Sequence, residues 1–171
     1  MKQARFMDNS ATEGEGGAVY FDGSASTIDL SSTVFRSNSA ARSGGALFGR
    51  QTSTVNVKSV TSRKNSAKGG SGASFCLKDN DMVTIEKSDF AKGNASSNGG
   101  EIFIKNATEV LLNAVNALNS TAGANGGFLA LTGVQSLTVN SSTVGATPVT
   151  ISDSHLSYRS VDAVRLGLEE E

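Results

Sequence analysis

Apolar residues in this chain come in short alternating runs joined by small polar residues. One set follows a small-residue pair: Gly-Gly-Ala-Val-Tyr-Phe (16 to 21), Gly-Gly-Ala-Leu-Phe-Gly (44 to 49), Ser-Gly-Ala-Ser-Phe-Cys (71 to 76), Gly-Gly-Glu-Ile-Phe-Ile (99 to 104) and Gly-Gly-Phe-Leu-Ala-Leu (126 to 131). A second set follows ten or eleven residues later: Ile28-Asp29-Leu30, Val55-Asn56-Val57, Val83-Thr84-Ile85, Val110-Leu111-Leu112 and Leu137-Thr138-Val139. Alternation with period two predicts strands for both sets. A third apolar mark precedes an asparagine, as Phe35 before Asn38, Val60 before Asn65, Phe90 before Asn94 and Val115 before Asn119. Each repeat therefore offers three sides.

The anchors Gly17, Gly45, Gly72, Gly100 and Gly127 stand 28, 27, 28 and 27 residues apart. A period in this range marks a solenoid, whose units bury their apolar faces only against their neighbours. Three strands per repeat, wound in the same order, stack equivalent residues at about 4.8 Å. The prediction is an all-β parallel β-helix over residues 1–160, with five to six coils of 27–28 residues. A small cap and acidic tail follow at 161–171, where Val161, Val164, Arg165 and Leu168 have helical spacing. Glycine at one corner permits a sharp turn and a close approach of the next coil. Asn9, Asn38, Asn65, Asn94 and Asn119 at another corner are expected to form an amide ladder along the stack. The first coil is incomplete, because Phe6-Met7-Asp8-Asn9 matches the Phe35-to-Asn38 corner with no strand before it. An open N-terminal edge is expected to invite a partner.

Composition agrees with many short strands: 19 glycines, one proline and no tryptophan. Fifteen basic and sixteen acidic residues give a net charge of −1, with no overall footprint for nucleic acid or anionic membrane. The single cysteine, Cys76, excludes an internal disulfide framework and reads as a small buried thiol beside Phe75 and Leu77. No run approaches the roughly 18 apolar residues of a membrane span, and the N-terminus has no signal-like apolar region. Asn94, Asn106, Asn119 and Asn140 begin glycosylation sequons, which a chain rich in Ser and Thr produces by chance.

The alternation of Gly-Gly-Ala-aliphatic with Phe-x-x-Asn, clearest at Gly16 to Val19, Gly44 to Leu47, Phe6 to Asn9 and Phe35 to Asn38, resembles the repeats of chlamydial polymorphic outer membrane proteins. The resemblance covers roughly residues 6 to 147. It implies a right-handed parallel β-helix that works in adhesion at a cell surface or outside the cell, with no shared catalytic residues and no cofactor.

Three residues beyond the anchors, Tyr20, Phe48, Phe75 and Phe103 form a column that ends in Ala130. If the preceding column (Val19, Leu47, Ser74, Ile102, Leu129) faces the core, the rings face outward and mark a protein or glycan interface, an orientation that Glu101 in the flanking column supports. The other possibility is that the rings fill the core. Asp79 and Asp81, with Asp89 in the same coil, are a weak candidate for a Ca²⁺ site, against the simpler reading of a polar turn. A polysaccharide lyase or hydrolase needs converging carboxylates. The columns Asp29/Asn56/Thr84/Leu111/Thr138 and Ser31/Lys58/Glu86/Asn113/Asn140 do not cluster acids, and they lack the repeated threonine of an ice-binding face. His155 has no nucleophile pattern nearby. The expected function is a non-catalytic interaction module at a surface or in a secreted assembly. Protein partners would use the aromatic column and the N-terminal edge, and a glycan is a further possible partner. The alternative is a structural subunit of a larger complex, and a weaker one is a carbohydrate-active enzyme.

Overall fold

The computed structural model describes residues 1–24, 26–140, 142–144, 149–152 and 160–161. The expected cap, apart from Val161, and His155 lie outside the described residues. Within them the chain winds as a parallel β-solenoid of about five turns, with no helix.

One turn shows how sequence makes the coil. Leu47–Arg50 runs to a corner at Gln51 (φ 57°), Thr54–Lys58 to Ser59 (φ 53°), Thr61–Arg63 to Lys64 (φ 57°), and the two-residue strand Ser66–Ala67 leads back to Gly72 (φ 67°). A left-handed residue reverses the chain's course in a single step, so each corner is short. The coil thus has four strands where apolar spacing predicts three, because a strand of two residues is too short to show a period. From the third turn on, the first two strands run on as one: Phe75–Glu86, Ile102–Asn113 and Leu129–Asn140, each bent at its own left-handed residue, Asp79, Asn106 or Gly133.

Stacking yields three sheets, all with parallel pairing. Sheet A holds the first and second strands of every turn. Sheet B holds the third strands: Arg5–Met7, Val34–Arg36, Thr61–Arg63, Asp89–Ala91, Asn116–Leu118 and Thr143–Val144. Sheet C holds the short fourth strands. The alternating second strands send Leu30, Val55, Val57, Val83, Ile85, Val110, Leu112 and Leu137 inward, where all are buried. Each such side chain contributes about 1.5–3 kcal/mol by leaving water.

The largest core residues form an aromatic spine. Phe6 stacks on Phe35 (5.1 Å, 10°), Phe35 meets Phe75 edge-on (5.6 Å, 85°), Phe75 meets Phe90 edge-on (5.4 Å, 89°), and Phe90 leans on Phe128 (6.1 Å, 50°). Phe6, Phe35 and Phe90 share one column of sheet B, while Phe75 comes from sheet A and Phe128 from just before it, so no single sequence column reveals the whole spine.

The glycine ruler needs one correction. The left-handed glycines at this corner are Gly16, Gly44, Gly72, Gly99 and Gly126, so Gly72 belongs with Gly44 and not with Gly45. The slot equivalent to Gly45 is held by Ala73 in the third turn. A Cβ on Gly45 would stand 2.3 Å from the carbonyl oxygen of Ala73, which explains glycine there. Matching by residue identity shifted the third repeat by one position.

Candidate functional site

That one-residue shift dismantles the proposed aromatic column. Phe75 pairs with Leu47 and Ile102 and points into the core, while Cys76 takes its place between Phe48 and Phe103. In a strand, one residue is the difference between the two faces. The true outward column is Tyr20, Phe48, Cys76, Phe103 and Ala130. Tyr20 is 53% exposed, but Phe48 and Phe103 are only 1% and 8% exposed. Tyr20 covers the Phe48 ring in a parallel stack (5.4 Å, 10°), and Lys78 Nζ lies 5.2 Å from its centroid. Lys78 is itself held at 3.7 Å by Glu15, from the connection that precedes the first glycine corner. Of the four rings expected to meet a partner only Tyr20 is therefore exposed, and Phe48 is covered by this chain's own Tyr20 and Lys78. Cys76 is the buried thiol expected, its pKa pushed up to about 12 chiefly by burial.

Asp79 is the corner residue of its turn, and with Asp81, Asn106 and Gln135 it lines a shallow polar groove of about 470 Å³. Asp79 Oδ1 accepts a hydrogen bond from Asn106 Nδ2 at 2.8 Å. Asn80 between them is buried, and its Nδ2 donates to the Thr52 hydroxyl. Asp89 lies on sheet B, where it accepts from Asn116 Nδ2 at 2.9 Å. Among the described residues no three metal-ligating side chains of the His, Cys, Asp and Glu types come together.

The asparagine ladder forms for three rungs only. Asn38 Oδ1 accepts from Asn9 Nδ2 (2.9 Å) and Asn9 N (3.1 Å), and Asn65 Oδ1 accepts from Asn38 Nδ2 (3.0 Å) and Asn38 N (2.9 Å). The rung position directly follows the left-handed corner residue. After Asp89–Ala91 that corner is Lys92 and the rung is Gly93; after Asn116–Leu118 the corner is Asn119 itself and the rung is Ser120. Asn94 and Asn119 are therefore exposed and outside the ladder, a correction to the sequence expectation. The interval of only 25 residues from Asn94 to Asn119 was the available sign of this slip, since 29 also separates the true rungs Asn9 and Asn38.

What replaces the missing rungs is Glu101, which the sequence placed on an outer face. It is 0% exposed. Its Oε1 accepts from Gly93 N (2.5 Å) and Ser120 Oγ (2.6 Å), and its Oε2 accepts from Ser74 Oγ. Ser74 Oγ accepts in turn from Ser62 Oγ (2.7 Å), and Ser62 Oγ from Asn65 Nδ2 (2.8 Å). A Cβ on Gly93 would lie 2.4 Å from the Glu101 carboxyl carbon, so the absent side chain of Gly93 makes the room that this carboxyl fills. One polar chain, buried from Asn38 onward, thus runs from Asn9 to Ser120, amides at one end and a carboxyl at the other. Burial pushes the Glu101 pKa up to about 7, against the hydrogen bonds of Ser120, Ser74 and Gly93 that pull it down. A glutamate between an alanine-like column and an isoleucine gave no sequence signal for this role.

Comparison with known proteins finds no matching family model, no matching curated protein and no matching solved structure, so what is established of this chain is its parallel β-solenoid.

Proposed function

We propose that this chain is a non-catalytic interaction module, a stiff β-solenoid rod that presents its side faces to a partner at a cell surface or in a secreted assembly. One observation carries the reading. Glu101, the carboxyl whose proton exchanges near neutral pH, is sealed from solvent and fully engaged by Ser74, Ser120 and Gly93, so it serves the stack and meets no substrate. The strands, by contrast, stack in register over about five turns, which gives side faces that a partner can meet. Resemblance of the Gly-Gly-Ala and Phe-x-x-Asn repeats to chlamydial polymorphic outer membrane proteins favours adhesion and surface display. The test is to offer the purified chain to cells and to a polysaccharide panel, reading retention and sugar release together. Retention without release is expected, and catalytic release of sugar would defeat the proposal.

A structural subunit of a larger complex is the second reading, and the first turn favours it. Phe6, Val19 and Phe21 are only partly buried there, with Met7 and Tyr20 exposed beside them. A further coil, from this chain or from a partner, would complete that surface. Size-exclusion chromatography of the native material separates the two readings, since a stoichiometric complex is expected only of the second.

A further inference from the structure

The basic residues are unevenly placed around the stack. On the outer face of sheet B, Arg36 stands directly beside Arg63 in the strand ladder. At the corner one residue on, Lys64 is followed in the next turn by Lys92, and Lys87 occupies the corner at the other end of that strand. All five are exposed, and none makes an ion pair among the described residues, although Arg50, Lys58 and Lys78 elsewhere each do. The carboxylates on this face are Asp8 in the first turn and Asp89, which Asn116 engages. A net charge near zero conceals this arrangement.

The arrangement works against stability. Like charges directly opposite on neighbouring strands repel. The three lysines also hold left-handed backbone, at φ 57°, 46° and 61°, which glycine or asparagine adopts at lower cost. Neither packing nor pairing among the described residues favours cations at these positions.

We propose that the outer face of sheet B binds an acidic polysaccharide, a linear sugar chain bearing sulfate or carboxylate groups. This rests on the interaction-module reading and names the partner's chemistry. Two arginines aligned across one strand pair suit the bidentate grip of an oxyanion, and the lysines extend the positive surface around the corner. Beyond that corner Ser66, Asn94 and Thr121 form an adjacent column of hydroxyls and an amide suited to sugar hydroxyls. A nucleic acid is less well served, because the aromatic residues of these strands, Phe6, Phe35 and Phe90, turn inward and leave no platform for bases.

The test measures binding of the chain to immobilised heparin and polygalacturonate, with neutral dextran as control, across a salt series. Lys64→Asn with Lys92→Asn puts a residue suited to left-handed backbone at both corners, so its melting temperature should equal or exceed the parent's. Adding Arg36→Gln and Arg63→Gln should weaken binding about tenfold or more and flatten its salt dependence, as expected when fewer counterions are displaced. The proposal is overturned if the parent binds neither acidic glycan, if the quadruple variant binds as well as the parent, or if single-stranded DNA of equal charge binds more tightly. It is also overturned if the parent self-associates at low salt and the variant does not, which would assign the face to a second copy. Cutting of the glycan would defeat the non-catalytic reading alone, since loss of binding in the variant upholds the face either way.

Discussion

A single carboxyl gives the molecule its clearest expected response to pH. Glu101 titrates near 7 in the folded chain and near its ordinary 4.5 when unfolded, because only folding removes it from water. Between those values the native state holds the extra proton, so the contribution of Glu101 to stability is greatest below about pH 4.5 and is lost as pH rises through 7. The whole loss is about 3 kcal/mol. Glu101→Gln keeps an oxygen for Gly93 and Ser120 but cannot ionise. Its melting temperature should match the parent's near pH 5 and exceed it near pH 8. Identical pH profiles for the two proteins would show that the Glu101 charge does not govern stability. The same carboxyl explains why glycine stands at position 93, where any side chain would meet both the Glu101 carboxyl and the Gly100 carbonyl oxygen, each 2.4 Å from a Cβ.

At the scale of the element, the asparagines divide into those that hold coils together and those that only look as if they do. Asn38→Ala removes an amide bonded to Asn9, Asn65 and the Phe6 carbonyl, and leaves buried partners unmatched. The expected cost is about 2–3 kcal/mol in urea unfolding. Asn94→Ala removes an exposed side chain in contact with the Thr121 hydroxyl and should cost within about 0.5 kcal/mol. Equal costs would refute the assignment of the rungs. The distinction marks how far the sequence was legible. Period, strand type and the inward columns of the second strands followed from alternation, since burial on one face forces it. Slot assignment did not follow, because repeats were matched by residue identity while the fold matches them by backbone conformation. Gly72, Asn94 and Asn119 each lie one place from the slot their identity suggested, and in a strand that is enough to turn Phe75 from an outer ring into a core one. Glu101 was misplaced for a related reason. Its column runs Ala18, Ala46, Ser74, Glu101, Phe128, so its inward direction appears only once the neighbouring turns are in register.

For the whole molecule, the arrangement of contacts sets the order in which parts open. Each turn touches only the turns on either side, so stability is a sum of turn and interface terms, and an interior turn has two interfaces. The third, fourth and fifth turns share the longest continuous strands, and those of the third and fourth, Phe75–Glu86 and Ile102–Asn113, are paired with each other over their length and flanked by further strands on both sides. The first turn has Arg5–Met7 and Val19–Asp22 paired on one side only, with Phe6 and Phe21 incompletely covered. Native-state hydrogen exchange should therefore find the slowest amides at Val83, Ile85, Val110 and Leu112, and the fastest strand amides in the first turn, because local opening there breaks a single interface. The polar chain from Asn9 to Ser120 crosses this gradient, so raising the pH from 5 to 8 should lower the opening free energy of the turns around Glu101, once the base-catalysed rise in intrinsic exchange is divided out, while leaving that of the first turn, already low, little changed. Uniform protection along the stack would mean that the solenoid opens only as one unit, and that the turns are coupled more strongly than nearest-neighbour contacts allow.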